Sequence, residues 1–271
     1  MSDELLNPGN ERILVVAGHD PSGGAGVMVD LEAARALEVD VDAVITADTD
    51  QDRAQVRSIG ARDPQGWLAE ARQRIAKRSP QALKFGLLPG SAHLRAAATL
   101  VNELRSVRPD FPVVLDPVIA SSSGTTFLQD ADVEILSLEL LPLGLILTPN
   151  LGELAHLSGE SAEELALDLD LRGRAARGLV ERGARAVVVK GGHGGEDPVC
   201  DLICERERRL AWRTRPRVFQ ADGEAAGIRG SGCRFATVLA SGLATGLDLE
   251  TAADQAGRYV ADRIALVQSS R

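Results

Sequence analysis

Short apolar runs alternate with longer segments of helical periodicity along nearly the whole chain. An apolar run bounded by glycine, proline or polar residues predicts a buried strand, whereas apolar residues at every third or fourth position predict an amphipathic helix. The predicted strands span residues 13–17, 42–46, 82–86, 113–115, 145–147, 186–190, 199–204 and 210–213. The predicted helices span residues 26–37, 64–77, 92–105, 130–141, 151–158, 162–182, 233–245 and 249–267.

This alternation of strands and helices is typical of an α/β fold built from parallel βαβ units. We expect three layers, in which helices cover both faces of a mostly parallel central sheet. Only a polar gap at residues 205–209 separates the last two predicted strands, so these should form an antiparallel edge hairpin. Residues 47–62 are charged and weakly periodic, which predicts a loop or an excursion beside the strand ends. No repeat or linker interrupts the pattern, so we expect a single domain over residues 1–271, with residues 1–10 as a flexible tail.

The chain has 271 residues, a net charge of −9 and only 3% aromatic residues. Its core must therefore be built from leucine, valine, isoleucine and alanine. An acidic chain gains nothing from electrostatic attraction to nucleic acids or anionic lipids, so we expect neither as a partner. Three cysteines give no disulfide framework, the N-terminal residues are polar, and no apolar run approaches a bilayer-spanning length. These features predict a soluble cytoplasmic enzyme with a small-molecule substrate.

A glycine-rich turn at residues 18–26 joins the first predicted strand to the first predicted helix. Such a turn leaves backbone N–H groups free at a helix N-terminus, and open parallel sheets bind ligands at this kind of strand end. Asp20 lies in the turn and adds a carboxylate. Position 29 is valine, so the dinucleotide-binding glycine pattern is absent, and the sequence contains no P-loop motif. We predict that the turn binds a polar small molecule.

Polar groups follow directly after several predicted parallel strands. They are Asp20, Asp116, residues 148–150 and Lys190. Because the carboxyl ends of parallel strands share one edge of a sheet, we expect these groups to meet there. Any one of them alone is better explained as a turn residue, but four at one edge indicate a ligand site. Lys190 precedes a Gly-Gly pair and would supply a mobile positive charge to a phosphate group.

A second glycine turn, Gly230-Ser231-Gly232, opens the helix predicted from residue 233. Its N–H groups and the helix dipole predict a site for an anion, such as the charge on a transferring phosphoryl group. Cys233 lies in the first turn of this helix, where we expect the dipole to lower the pKa of its thiol. Taken alone, the motif is equally compatible with a plain helix cap followed by a small core residue.

Seven motifs follow one another in collinear order between residues 13 and 260. They are GHDPSGGAG at 18–26, ITA with Gln51 at 45–51, KFGLL at 84–88, VVLDPV at 113–118, LTPNL with Glu153 at 147–153, VKGGH at 189–193 and GSGC at 230–233. In these motifs the chain resembles the hydroxymethylpyrimidine/phosphomethylpyrimidine kinases of thiamine biosynthesis. The resemblance implies a ribokinase-like three-layer α/β/α fold and ATP-dependent phosphorylation of hydroxymethylpyrimidine and of its monophosphate. It also implies ATP and Mg²⁺ as cofactors and a homodimer.

The resemblance further implies roles for individual residues. In the catalytic centre, Cys233 would be the base, Lys190 would reach the ATP phosphates, and the anion hole would consist of Gly230, Ser231 and Gly232. The pyrimidine would contact Asp20, Gly24, Ala25, Asp30, Thr49, Gln51, Leu87 and Val118. The nucleotide would contact Asn150, Lys190, Gly192 and Ser231, and the metal would be held by Asp116 and Glu153.

The chain departs from the family pattern at four places, and one of them is an absent Asp-Thr pair, with Glu224 and Ala225 near its place. Residues 50–53 read Asp-Gln-Asp-Arg in place of Ala-Gln-Asn-Thr, and Asp48 adds a third carboxylate. This acidic segment, residues 48–52, predicts a weak second phosphorylation. Residues 122–124 read Ser-Ser-Gly in place of Lys-Ser-Gly, so one phosphate-facing lysine is missing. Residues 228–234 read Ile-Arg-Gly-Ser-Gly-Cys-Arg in place of Thr-His-Gly-Thr-Gly-Cys-Thr, which offers Arg229 or Arg234 as a replacement charge.

These departures leave two alternatives open. The acidic segment favours a kinase for another hydroxymethyl heterocycle, such as pyridoxal. The missing lysine and the altered glycine turn favour a non-catalytic homologue that binds a pyrimidine or a nucleotide. The retained Asp116, Glu153 and Lys190 favour the pyrimidine kinase, because losing one charge contact weakens an enzyme more often than it abolishes activity.

Overall fold

The computed structural model describes residues 11–51, 56–121, 124–206, 208–220 and 225–269, and only the backbone of residues 50, 51, 56 and 57. Its strands are β1 (Arg12–His19), β2 (Asp40–Gln51), β3 (Val56–Ala61), β4 (Ala82–Phe85), β5 (Val113–Leu115), β6 (Ile146–Leu147), β7 (Ala186–Val189), β8 (Val199–Glu205) and β9 (Ala211–Arg215). Its helices are α1 (Gly26–Ala36), α2 (Pro64–Lys77), α3 (Ser91–Val107), α4 (Asp130–Ile135), α5 (Leu151–Ser158), α6 (Ala162–Leu167), α7 (Leu169–Glu181), α8 (Ser231–Ala244) and α9 (Leu249–Ser269). Helix α4 continues through a π-helical turn into a short 3₁₀ turn that ends at Leu143.

The described strands form one sheet in the order β3-β2-β1-β4-β5-β6-β7-β8-β9. The six central strands run parallel, whereas β3 pairs antiparallel with β2 at one edge and β8 and β9 form an antiparallel hairpin at the other. The register sets the carboxyl ends of the central strands side by side, with Val16 opposite Phe85 and Leu115 opposite Leu147. The predicted mostly parallel α/β fold with an antiparallel edge hairpin is confirmed.

Helices cover both faces of the sheet. Helices α2 to α7 pack on one face, against side chains such as Leu83 and Leu147. Helices α1, α8 and α9 pack on the other face, against side chains such as Val15 and Val188. Successive side chains of a strand point to opposite faces, so a strand covered on both faces is apolar at most of its positions. Among the described residues, no helix is long and apolar enough to cross a membrane.

For residues 47–62, the loop alternative is wrong, because the described part of this segment is largely strand. Strand β2 continues into this segment and turns back as the antiparallel strand β3, with Ala47 opposite Ala61. Ala47 and Thr49 are buried, and Asp48 between them is half exposed. This alternation is the period-two pattern of a strand, but the many charged residues hid it in the sequence.

The prediction of a single helix at residues 162–182 is also wrong, because the helix is interrupted at Asp168. Asp168 has an extended backbone with φ −116° and ψ 104°, and its carboxylate accepts a hydrogen bond of 2.9 Å from the N–H of Leu171. A side chain that caps the following helix in this way ends the preceding one. The fully buried Arg172 then reaches back across the break and donates to the carbonyl oxygen of Leu165 at 3.0 Å.

Candidate active site

The carboxyl ends of β5 and β7 bring Asp116 and Lys190 together. The Lys190 ammonium lies 2.7 Å from Oδ1 of Asp116 and 3.7 Å from Oε2 of Glu153. A Cβ atom added to Gly232 would lie 3.0 Å from Nζ of Lys190 and 3.4 Å from Oδ2 of Asp116, so the second glycine turn closes against the same pair. Residues from four separate segments therefore meet at one point. We call this group the Lys190 cluster: Asp116, Glu153, Lys190 and Gly232.

Glu153 is fixed in the Lys190 cluster by the N-terminus of α5. Its carboxylate accepts the N–H of Asn150 at 2.7 Å, and the Asn150 side chain accepts the N–H of Glu153 at 2.9 Å. Asn150, predicted to contact the nucleotide, thus caps α5 through a reciprocal capping box. Burial raises the pKa of Glu153 to about 7, although Lys190 acts to lower it. This carboxyl group therefore changes its charge near neutral pH.

The same surroundings keep Lys190 positively charged. Burial alone would lower the pKa of Lys190, but the carboxylates of Asp116 and Glu153 outweigh burial and raise it above its usual value. The backbone beside it is also fixed, because the N–H of Gly191 donates to Oδ1 of Asp201 at 2.7 Å. The cluster therefore holds a permanent ammonium between two carboxyl groups.

The two glycine turns touch each other. Gly230 has a φ of +68°, a conformation that glycine adopts at little cost and other residues rarely adopt. A Cβ atom there would lie 2.6 Å from the carbonyl oxygen of Gly24 and 3.1 Å from Cα of Ala25. The turn of residues 230–232 therefore has the first glycine turn on one side and the Lys190 cluster on the other.

Arg229 bridges the two glycine turns. Its guanidinium donates to Oδ2 of Asp20 and to Oγ of Ser22, both at 3.2 Å. Asp20 is 1% exposed, and its other carboxylate oxygen accepts the N–H of Ser22 at 2.9 Å. Arg234 instead donates to Glu32 on α1 at 2.8 Å. Of the two arginines that offer a replacement charge, Arg229 is therefore the one that lies between the turns.

A fully buried ion pair lies within the fold between α1, β4 and α8. Nζ of Lys84 lies 2.9 and 3.0 Å from the two carboxylate oxygens of Asp30, and Oγ1 of Thr237 donates to Asp30 at 2.7 Å. Burial alone would lower the pKa of Lys84, but Asp30 together with the nearby Cys233 and Asp116 outweighs burial and raises it. The predicted contact of Asp30 with the pyrimidine does not fit this geometry, because its carboxylate is unexposed and both oxygens have interior partners.

The expectation of a lowered pKa for the Cys233 thiol is wrong. Burial raises this pKa to about 11, and the positive charge of Lys84 and the backbone N–H of Gly26 lower it only in part. Desolvation of the thiolate therefore outweighs the helix dipole. In the free protein the thiol keeps its proton at neutral pH.

Two other residues predicted to contact the pyrimidine lie beside the first glycine turn. Oγ1 of Thr49 donates to the carbonyl oxygen of His19 at 3.0 Å. A Cβ atom at Gly18 would lie 2.9 Å from Cδ2 of Leu87, so this leucine packs directly against the start of the turn. Val118, another predicted contact, is half buried two residues beyond Asp116.

The remaining predicted site residues lie outside the described part of the chain or in loops and turns near the site. The side chain of Gln51 and residues 52, 53, 122 and 123 lie outside the described residues. Gly192 lies in the loop after β7, where its carbonyl oxygen accepts a hydrogen bond of 3.0 Å from Arg217. Ser231 is the first residue of α8 and is partly exposed at the second glycine turn.

Asp48, in the acidic segment near the end of β2, is neutralised by its neighbours. Oδ2 of Asp48 accepts a hydrogen bond of 3.0 Å from Arg62, and Oδ1 lies 3.1 Å from Nδ1 of His19. Burial would raise the pKa of Asp48, but hydrogen bonds from Arg62 and His19 outweigh burial and lower it. Asp48 is therefore a paired carboxylate, which weakens the electrostatic reason for a poor second phosphorylation.

The sequence motifs assign no role to two charged residues that hold the site. Lys84 lies inside buried strand β4, and Asp201 in β8 accepts hydrogen bonds from Gly191 and from Arg215. The sequence does contain a signal for them, because an ionised side chain within an apolar strand requires a buried partner. Lysine is also rare here, because three of thirty basic residues are lysines. Of these three, Lys84 is fully buried and the side chain of Lys190 is 11% exposed.

This arrangement is suited to phosphoryl transfer. An ammonium, two carboxyl groups and a glycine turn at a helix N-terminus supply positioning and charge neutralisation, which is most of what this chemistry requires. In the described part of the chain, no three His, Cys, Asp or Glu side chains form a ready metal site, so a divalent cation would also need oxygen atoms of the substrate. The fold and the site together define a kinase of the α/β class.

Comparison with known proteins identifies the family. Residues 20–270 match the family model of phosphomethylpyrimidine kinase. The chain is 32% identical over 252 residues to the hydroxymethylpyrimidine/phosphomethylpyrimidine kinase of Streptomyces coelicolor. This alignment covers 93% of this chain and 88% of that protein. It is also 32% identical over 261 residues to the kinase of the same name from Rhizobium meliloti, with 94% and 93% covered. The chain belongs to the phosphomethylpyrimidine kinase family.

Solved structures share the fold. Pyridoxal kinase from Staphylococcus aureus in complex with ADP superimposes with a TM-score of 0.80 at 25% identity, covering 94% of this chain and 88% of that chain. Phosphomethylpyrimidine kinase from Clostridium difficile 630 superimposes with a TM-score of 0.76 at 24% identity, covering 94% and 100%. The ribokinase-like fold implied by the sequence motifs is confirmed.

Lys84→Met should lower the free energy of unfolding by about 3–5 kcal/mol, because it leaves the Asp30 carboxylate buried without its cation. The double variant Asp30→Leu/Lys84→Met should recover most of this loss, since neither charge remains. Chemical denaturation followed by circular dichroism measures both, and Lys77→Met at the exposed end of α2 is the matched control. A single variant as stable as the double variant would contradict the importance of the pair.

Proposed function

We propose that this chain transfers the terminal phosphoryl group of ATP to hydroxymethylpyrimidine, and then to the resulting monophosphate, in thiamine biosynthesis. The observation that carries the proposal is the Lys190 cluster, where an ammonium and two carboxyl groups meet beside a glycine turn. The substrate class rests on the family, because the curated relatives are named hydroxymethylpyrimidine/phosphomethylpyrimidine kinases.

The proposed site divides into an acceptor side and a nucleotide side. On the acceptor side, Ala25, Thr49 and Leu87 line the ring pocket beside the first glycine turn. On the nucleotide side, Lys190 neutralises the ATP phosphates, and Gly192 lies in the loop that follows it. The N–H groups of residues 230–232 lie between the two sides and receive the charge of the transferring phosphoryl group.

Asp116 and Glu153 fit a magnesium ion. Mg²⁺ keeps several waters and binds proteins through one or two carboxylates together with phosphate oxygens. These two carboxyl groups already face a cation, because the Lys190 ammonium lies 2.7 Å from one and 3.7 Å from the other. When bound, the ion would neutralise charge on the phosphates. Lys190 contacts the same phosphates from its flexible four-carbon stem.

Cys233 takes a more limited role than that of a preformed thiolate base. Because burial raises the pKa of its thiol to about 11, the neutral thiol is the form that meets the acceptor at neutral pH. The transition state of phosphoryl transfer is loose in most analyses, so the acceptor oxygen needs little deprotonation before transfer. A neutral thiol at the helix N-terminus is then sufficient to orient the acceptor.

The alternatives have weaker support. The likeness to pyridoxal kinase is one of fold at 25% identity, whereas the curated pyrimidine kinases reach 32% identity over most of the chain. A non-catalytic binding protein would have no need of the complete Lys190 cluster. The family is also the ground for proposing a homodimer and a cytoplasmic location, which analytical ultracentrifugation and cell fractionation test.

Purified protein incubated with ATP, Mg²⁺ and hydroxymethylpyrimidine should release ADP well above the rate without acceptor. We expect kcat/KM for pyridoxal to be lower than that for hydroxymethylpyrimidine by about tenfold or more, since its ring presents different polar groups to the pocket. A coupled ADP assay measures both rates. Thermal stabilisation by the pyrimidine with no ADP release would leave only a binding function.

Lys190→Ala should lower kcat/KM for ATP by about tenfold or more, because it removes the charged hydrogen bonds to the phosphates. Lys77→Ala, an exposed lysine at the end of α2, serves as the matched control and should retain the wild-type rate. A thermal melt verifies that each variant is folded. A folded Lys190→Ala protein with an unchanged rate would place this ammonium away from the phosphates.

The value of kcat/KM for ATP should rise as the pH increases through about 7, because Glu153 is neutral below its raised pKa and gains the negative charge that a cation needs above it. Glu153→Gln should be slow at all pH values and should lose the rise centred near neutrality. A pH–rate profile with saturating acceptor measures the effect. The same rise in Glu153→Gln would assign it to another group.

A further inference from the structure

We propose that Arg229 binds the phosphate of the phosphorylated pyrimidine and so sets the preference of this kinase between its two acceptors. The inference rests on the proposed function and deepens it. The two acceptors differ by a single phosphate group at the reacting end. A residue that recognises this group therefore decides how efficiently the second phosphorylation follows the first.

The geometry around Arg229 leaves its guanidinium available to a ligand. Two of its five N–H donors bind Ser22 and Asp20 at 3.2 Å within the described part of the chain. A Cβ atom at Gly24 would lie 3.2 Å from Nη1, so the group lies flat against the first glycine turn. A quarter of the side chain is exposed. The remaining donors can therefore contact an anion bound between the two turns.

The position of Arg229 selects the acceptor phosphate over the nucleotide phosphates. The turn of residues 230–232 faces Asp116 and Lys190 through Gly232, and faces Gly24 and Ala25 through Gly230. Arg229 precedes Gly230 and so lies on the acceptor side, whereas Lys190 lies on the nucleotide side. A phosphate already carried by the acceptor must lie between the ring pocket and the transferring phosphoryl group. Arg229 borders that position.

The negative charge of Asp20 makes Arg229 necessary for binding the phosphorylated acceptor. Asp20 is buried and is held in place by the N–H of Ser22 at 2.9 Å. Without Arg229 its carboxylate would have no cation among the described residues and would repel a phosphate dianion, but not an uncharged hydroxymethyl group. Asp48, by contrast, already has Arg62 as a partner. Removing the arginine should therefore harm the phosphorylated acceptor far more than the unphosphorylated one.

Steady-state kinetics with both acceptors tests the proposal. Arg229→Ala should lower the ratio of kcat/KM for the monophosphate to kcat/KM for the alcohol by about tenfold or more. Arg229→His, which restores the histidine of the family pattern, and Arg229→Lys should fall between the wild type and Arg229→Ala, because neither keeps the guanidinium fork. Arg35→Ala, an exposed arginine on α1, controls for the change in net charge and should leave the ratio unchanged.

A second substitution separates recognition from a purely structural role. In the Arg229→Ala background, Asp20→Asn should restore part of the activity toward the monophosphate, because it removes the unpaired carboxylate. If Arg229 only holds the two turns together, both acceptors lose activity equally and Asp20→Asn restores nothing. An unchanged ratio, or a wild-type protein that phosphorylates the alcohol but never the monophosphate, would also overturn the proposal.

Direct binding keeps the inference separate from the proposed function. If the wild type phosphorylates neither acceptor, the proposed function fails, and calorimetric titration with the pyrimidine monophosphate and the alcohol then tests Arg229 alone. The wild type should bind the monophosphate more tightly than the alcohol, and Arg229→Ala should lose this difference. Equal affinities for the two compounds in the wild type would overturn the role of Arg229.

Discussion

The buried ion pair between Lys84 and Asp30 holds together the parts of the fold that form the active site. Charges inside a protein are costly to desolvate, and such a pair is tolerated only where the geometry satisfies both groups. Here two contacts of 2.9 and 3.0 Å and a hydrogen bond from Thr237 do so. The three residues belong to β4, α1 and α8. Because each glycine turn leads directly into α1 or α8, joining these helices fixes the turns relative to each other.

The second general feature is local charge balance in an acidic protein. The chain carries a net charge of −9, which opposes the binding of a triphosphate at long range. At the sheet edge, however, Lys190 lies between Asp116 and Glu153, and Arg229 lies on Asp20. Each cation is paired yet borders the space between the turns. The site can therefore receive anions by rearranging existing ion pairs rather than by drawing on overall charge.

The fold and the residues that meet at the site were largely predictable, for different reasons. Strands buried on both faces are apolar at most positions, so their positions follow directly from the sequence. Parallel strands end at one edge, which is why Asp116 and Lys190 could be expected together although 74 residues separate them. The edge strand β3 was missed because its alternation is masked by charges. The sequence hides the break at Asp168 because leucines continue on both sides of it, at residues 165, 167, 169 and 171.

The α/β layers, the two glycine turns and the family therefore follow from the sequence. Each of them depends on a local residue pattern or on a short motif that can be recognised without the structure. Tertiary structure decided which charges are partners. It assigned Asp30 to the interior with Lys84, chose Arg229 over Arg234 as the cation between the turns, and kept the thiol of Cys233 protonated. Desolvation and Coulomb interactions depend on distance in space and on burial, and the order of the residues gives neither of these quantities.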